Sequence, residues 1–112
     1  MGKSSQKKGR KAELELAGIL RGYGFEAVRA AEPLNFGNVP DLVGLPNIHI
    51  ECKRCEQQRL AEWVAQAVAD SEKFCDGAPT IFHRRNRGEW LASMRLVDWV
   101  ELYKCAYSRK ID

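Results

Sequence analysis

Asp41, Glu51 and Lys53 lie in one short stretch, PDLVGLPNIHIECKR (residues 40–54), that otherwise reads as β-strand. Strand side chains alternate faces, so Ile48, Ile50 and Cys52 point one way while His49, Glu51 and Lys53 point the other. If the strand carrying Asp41 pairs with this one across a turn near Pro46, Asp41 comes to the same end of the sheet as Glu51. Two converging carboxylates repel unless a cation sits between them. A hard divalent ion such as Mg²⁺ meets that need, because it takes one or two carboxylates and leaves water and substrate phosphate to complete its shell. The bound ion acidifies its water and neutralises charge on a phosphate oxygen. Lys53 alongside could orient or activate that water, or hold the phosphate. Taken alone, Glu51-Cys52-Lys53 reads rather as an exposed acid and base pair on the wet face of an antiparallel sheet. Pro40-Asp41 in front of it turns the reading toward a site.

The elements that must position these residues follow from spacing. From Arg10 to Tyr23, Leu14, Leu16, Ala17, Ile19 and Leu20 recur at helical intervals, and GYG supplies a glycine-type stop. FEAVRA alternates like a half-buried strand, AEPLNFGNVP has the Pro, Asn and Gly of a loop, and DLVGL and NIHIECK are two more short strands joined at Leu45-Pro46-Asn47. These three strands read as a meander. A helix is expected from about Gln58 to Phe74, with Leu60, Trp63, Val64, Ala67, Val68 and Ser71 on one stripe, ending before Gly77 and Pro79. PTIFHRR and GEWLASM form two strands about the turn Asn86-Arg87-Gly88, and Val97 to Cys105 closes the chain as a helix. The order is α, three β, α, two β, α.

A chain of 112 residues, 45% hydrophobic and 29% charged, buries one core and reads as a single domain, 1–112, with a flexible basic start through about residue 8. No apolar run is long enough to span a bilayer and MGKSSQKKGRK is no signal segment, so no membrane partner and a cytoplasmic address are expected. In that setting Cys52, Cys55, Cys75 and Cys105 are expected as thiols. The net charge of +3 is modest, but Lys3, Lys7, Lys8, Arg10 and Lys11 cluster at the start and Arg84, Arg85 and Arg87 form a second group. Two basic clusters suit a polyanion, although a solubilising tail gives the first of them equally well.

Pro40-Asp41, nine intervening residues and then Glu51-Cys52-Lys53 resemble the signature of the PD-(D/E)xK nuclease superfamily. The segment KGRKAELELAGILRGYGFEAVRA is similar to the entry helix and first strand of small archaeal-type Holliday junction resolvases and related phage endonucleases. The resemblance implies a restriction-endonuclease-like α/β fold, a mixed central sheet of about five strands flanked by helices. It implies a Mg²⁺- or Mn²⁺-dependent endonuclease acting on duplex or branched DNA in a bacterial or phage-infected cell. Asp41 and Glu51 would ligate the metal with the Cys52 backbone carbonyl. An acid on the first helix joins that site in the family, and Glu13 occupies the matching position. Glu15 is the alternative under a shifted alignment, but it lies about 160° round the helix from Ala17 and reads as solvated. Gln66 matches a core-helix glutamine of the small phage members, where it would contact metal-bound water or phosphate. His83 and Arg84 would sit near the DNA path, and Lys7, Lys8, Arg10, Lys11, Arg85 and Arg87 would grip its backbone. A homodimer pairing two active sites is expected. The loop RAAEPLNFGN lacks the serine usual in junction resolvases, which favours a more general phage-type or repair-type endonuclease.

The competing reading is a nucleic-acid-binding module without catalysis, its acids merely solvated. Cys52-Lys-Arg-Cys55 has the CxxC spacing of zinc and redox motifs, but no second ligand pair completes a tetrahedral set and the two thiols would face opposite sides of a strand. His49 and His83 have no Ser or Cys partner at triad spacing, and His49 reads as a surface residue. Trp63, Trp90 and Trp99 could stack on bases. Trp63 and Trp99 are expected in the core instead, among apolar helical neighbours.

Overall fold

The computed structural model describes the backbone of residues 2–30 and 40–111 and the side chains of residues 9–30 and 40–108. The elements follow the expected order: α1 (Gly2–Gly22), β1 (Arg29–Ala30), β2 (Leu42–Val43), β3 (Ile48–Arg54), α2 (Leu60–Phe74), β4 (Ala78–Arg84), β5 (Leu91–Met94) and α3 (Leu96–Ile111). They build one five-stranded sheet, in order β1-β2-β3-β4-β5, in which only β3 and β4 run parallel. This is the α/β architecture expected, a mixed sheet flanked by helices.

The apolar spacing marks α1 only from Arg10, but its backbone is helical from Gly2, because the Lys, Ser and Gln that precede Gly9 include no proline to interrupt it. FEAVRA contributes only Arg29 and Ala30 to the described sheet, and the loop expected at AEPLNFGNVP lies, apart from Pro40, outside the described residues. The turn before β3 closes with the Ile48 N–H donating to the Leu45 carbonyl at 3.2 Å, and the β4–β5 turn with the Gly88 N–H donating to the Arg85 carbonyl at 3.0 Å.

Parallel neighbours cannot be joined by a tight turn, so α2 crosses over the sheet between β3 and β4. Its Trp63 and Ala67 pack on Ile81 on one face. On the other face Leu16 and Ala17 of α1 bury Val28, Leu42 and Ile50. β3 is therefore covered on both sides. The crossover returns through Gly77, whose φ is +130° and where a Cβ would lie 2.1 Å from the Asn47 carbonyl carbon. Only glycine fits there, and the tight approach lets the Ala78 N–H donate to the Asn47 carbonyl at 2.9 Å.

α3 departs from expectation. Trp99 is half exposed and not in the core; with Tyr103 and Tyr107 it forms a stacked ladder, ring centroids 5.2 and 6.2 Å apart, along an open helix face. The helix borders an apolar groove of about 690 Å³ formed with Ile48, Phe82 and Met94. These residues lie on the sheet face opposite Glu51, away from the converging acids.

Candidate active site

The antiparallel pairing of Leu42 with Ile50 sets Asp41 across from Glu51 on neighbouring strands. Asp41 is held there by the Cys52 backbone N–H, which donates to its Oδ2 at 2.8 Å. Glu13 approaches the same end of the sheet from α1. Burial, and then the negative charge of Asp41, push the Glu13 carboxyl up to about 7, against the pull of Arg10, whose guanidinium lies 3.8 Å away. Glu51 adds to the rise. Three carboxyl groups thus crowd one sheet end with too little positive charge between them.

Glu51 is buried, and its Oε1 lies 2.8 Å from His49 Nε2. His49 is itself fully buried, so the surface position expected for it is wrong. The error has a physical cause. The crossover lays α2 over the face that alternation assigns to His49, Glu51 and Lys53, and that face is not a solvated one. The other ring nitrogen, Nδ1, is 2.8 Å from both carboxylate oxygens of Asp76, just beyond α2. Burial pulls His49 down, but its hydrogen bonds to Glu51 and Asp76, reinforced by their charges, outweigh that and raise it to about 9. Glu51 is raised by burial, which together with the charge of Asp41 and a hydrogen bond to Asp70 on α2 exceeds the opposing effect of His49. Sequence reasoning missed Asp70 and Asp76. Asp70 stands four residues after Gln66, hence on the same helical face, and that spacing was its only signal.

Lys53 Nζ donates to Gln66 Oε1 at 3.1 Å, so β3 and α2 bring together the ammonium and the amide singled out from the sequence. Glu15 is not merely solvated. It accepts hydrogen bonds from Arg84 Nε at 2.9 Å, Arg84 Nη2 at 3.1 Å and Trp90 Nε1 at 2.8 Å, tying α1 to β4 and to the connection that leads into β5. These bonds, despite some burial, lower its carboxyl.

The residues expected to meet DNA divide into distinct groups. His83 is buried, with Nδ1 2.7 Å from Gln58 Oε1 and Nε2 2.8 Å from Ser93 Oγ, and it packs on Trp63. Burial lowers its pKa, and no ring nitrogen is left for a phosphate. The guanidinium of Arg84 is spent on Glu15 and on the Arg85 carbonyl, over the Trp90 ring. Arg10, Lys11, Arg85 and Arg87 are exposed, and the side chains of Lys7 and Lys8 lie outside the described residues. The four cysteines are free, and Cys52 packs with the α1 core while Cys55 packs with the α2 cluster, on opposite faces of the sheet. Burial pushes the Cys52 thiol up, away from the thiolate that metal binding or redox exchange requires.

No helix among the described residues is long and apolar enough to cross a membrane. Comparison with curated proteins and with solved structures gave no match. The model of the family described as "Phage putative PDDEXK endonuclease" matches residues 4–110, spanning both the Asp41 and Glu51-Cys52-Lys53 motifs and both flanking helices. The chain belongs to that family.

Proposed function

We propose that the protein is a divalent-cation-dependent endodeoxyribonuclease that hydrolyses phosphodiester bonds at the Asp41–Glu51 end of the sheet. The observation that carries this reading is the meeting of Asp41 and Glu51 across paired strands, with Glu13 pushed up to about 7 beside them. Carboxylates crowded in this way fit a hard divalent ion better than they fit one another. Asp41, Glu51 and the Cys52 carbonyl would hold Mg²⁺ or Mn²⁺, with Glu13 acting directly or through water. The bound ion supplies an acidified water and neutralises charge on the scissile phosphate. Lys53, steadied by Gln66, holds that phosphate or orients the attacking water. Arg85, Arg87, Arg10 and Lys11, with Lys7 and Lys8, hold the DNA backbone, so affinity falls steeply with salt. DNA is the substrate, duplex or branched, and a homodimer pairs two sites on it; the apolar groove and the aromatic ladder of α3, open among the described residues, supply a surface for the second copy.

The test is a cleavage panel of duplex, nicked, flapped, single-stranded and four-way DNA with Mg²⁺, comparing wild type with Asp41→Asn. Wild type is expected to cut and Asp41→Asn to bind without cutting. Binding with no metal-dependent cutting by wild type would leave the non-catalytic binding module as the reading.

A further inference from the structure

The reaction proposed above uses one side of Glu51 and leaves its other side unexplained. There His49 Nε2 lies 2.8 Å from Glu51 Oε1, and Asp70 hydrogen-bonds to the same carboxyl group. One ligand atom from each of His49, Glu51 and Asp70 lies within 4.8 Å of the others. His49 is fully buried, and its Nδ1 is fixed by both oxygens of Asp76 at 2.8 Å, which turns Nε2 toward the two acids. A carboxylate on the far nitrogen is the outer-shell device that orients histidines toward bound metals. A ring wanted only to fill the space beneath α2, where it stacks on Phe74, needs neither acid.

We propose that His49, Glu51 and Asp70 form a second divalent-cation site that adjoins the Asp41 site through the shared Glu51 carboxylate. The proposal rests on the reading of Glu51 as a cation ligand. One imidazole nitrogen with two carboxylate oxygens suits Mn²⁺ or Zn²⁺ better than Mg²⁺, which prefers oxygen throughout. The ion takes the place of the proton between Nε2 and Glu51 and bridges three elements: β3, α2 and, through Asp76, the turn into β4. The alternative is a cation-free clasp in which the protonated ring simply joins the three acids.

Bound Mn²⁺ can be counted by EPR of the full chain without DNA. Wild type is expected to hold two Mn²⁺ per chain, and Asp70→Asn and Asp41→Asn one each. Asp76→Asn is expected to weaken the second site about 10- to 100-fold and leave the first unchanged. The same number of ions, at the same affinity, in Asp70→Asn as in wild type overturns the second site. One ion in Asp70→Asn with two in Asp41→Asn upholds it and counts against the Asp41 reading alone. A measurement on wild type avoids any folding defect of a variant. The chain has 2 histidines, so ¹⁵N imidazole spectra on adding Zn²⁺ should shift His49 Nε2 and leave His83 in place. An unmoved His49 contradicts the proposal.

Discussion

The two faces of β3 are built on different physics. Under α1, Ile50 meets Leu16, Ala17, Val28 and Leu42 in a dry apolar cluster. Under α2, the next residues along the same strand are His49 and Glu51, both buried, with Lys53 reaching Gln66. Apolar burial stabilises the fold without geometric demands, whereas buried charge costs stability unless partners are arranged around it. One face of a seven-residue strand is apolar core and the other carries buried ionisable groups with arranged partners.

The comparison breaks if substitutions on the two faces have the same consequences. Leu16→Ala should lose about 2 to 5 kcal/mol of unfolding free energy by denaturant titration, with cleavage per folded molecule unchanged. Lys53→Met should do the reverse, lowering the cleavage rate about 10²- to 10³-fold with little change in the denaturation midpoint. Arg84→Ala, which unties Glu15 and the Trp90 ring, should cost about 1 to 3 kcal/mol and scarcely alter the salt dependence of DNA binding.

A pH series sharpens the contrast. The Glu13 carboxyl is pushed from 4.5 to about 7 in the folded chain, so the native state binds this proton more tightly than the unfolded state does. Its contribution is fully present below 4.5 and is lost as pH rises to about 7. Metal-free stability should therefore decline across that window, Glu13→Gln should flatten the decline, and Mg²⁺ should raise the melting temperature more at pH 8 than at pH 5. The smallest effects belong to the exposed arginines. Arg85→Ala and Arg87→Ala should each reduce the slope of log affinity against log salt by about 0.9.

Strand alternation and the turn at Pro46 were enough to read Asp41 beside Glu51, because register in a short hairpin is a local matter. The same rule put His49 on the Glu51 face but could not say what covers that face. Burial there depends on α2 crossing between parallel strands, a long-range arrangement that a meander of three strands does not suggest. Asp70 and Asp76 were illegible for the same reason, since their partners lie on another element. Trp99 was misread because helical spacing shows that a face is apolar and not that anything packs on it. Glu15 sat on the side of α1 away from Ala17, as the wheel indicates, and that side faces Arg84 and Trp90 instead of water.

The central claim is that the carboxylate of Glu51 serves cleavage and not the fold. Nicking of supercoiled DNA by Glu51→Gln, at protein concentrations giving the same DNA occupancy as wild type and with Mg²⁺ present, tests it most directly. The account predicts a fall of at least about 10³-fold, with the melting temperature of the metal-free variant at or above that of wild type. Nicking that persists at the wild-type rate in a folded Glu51→Gln protein would contradict it.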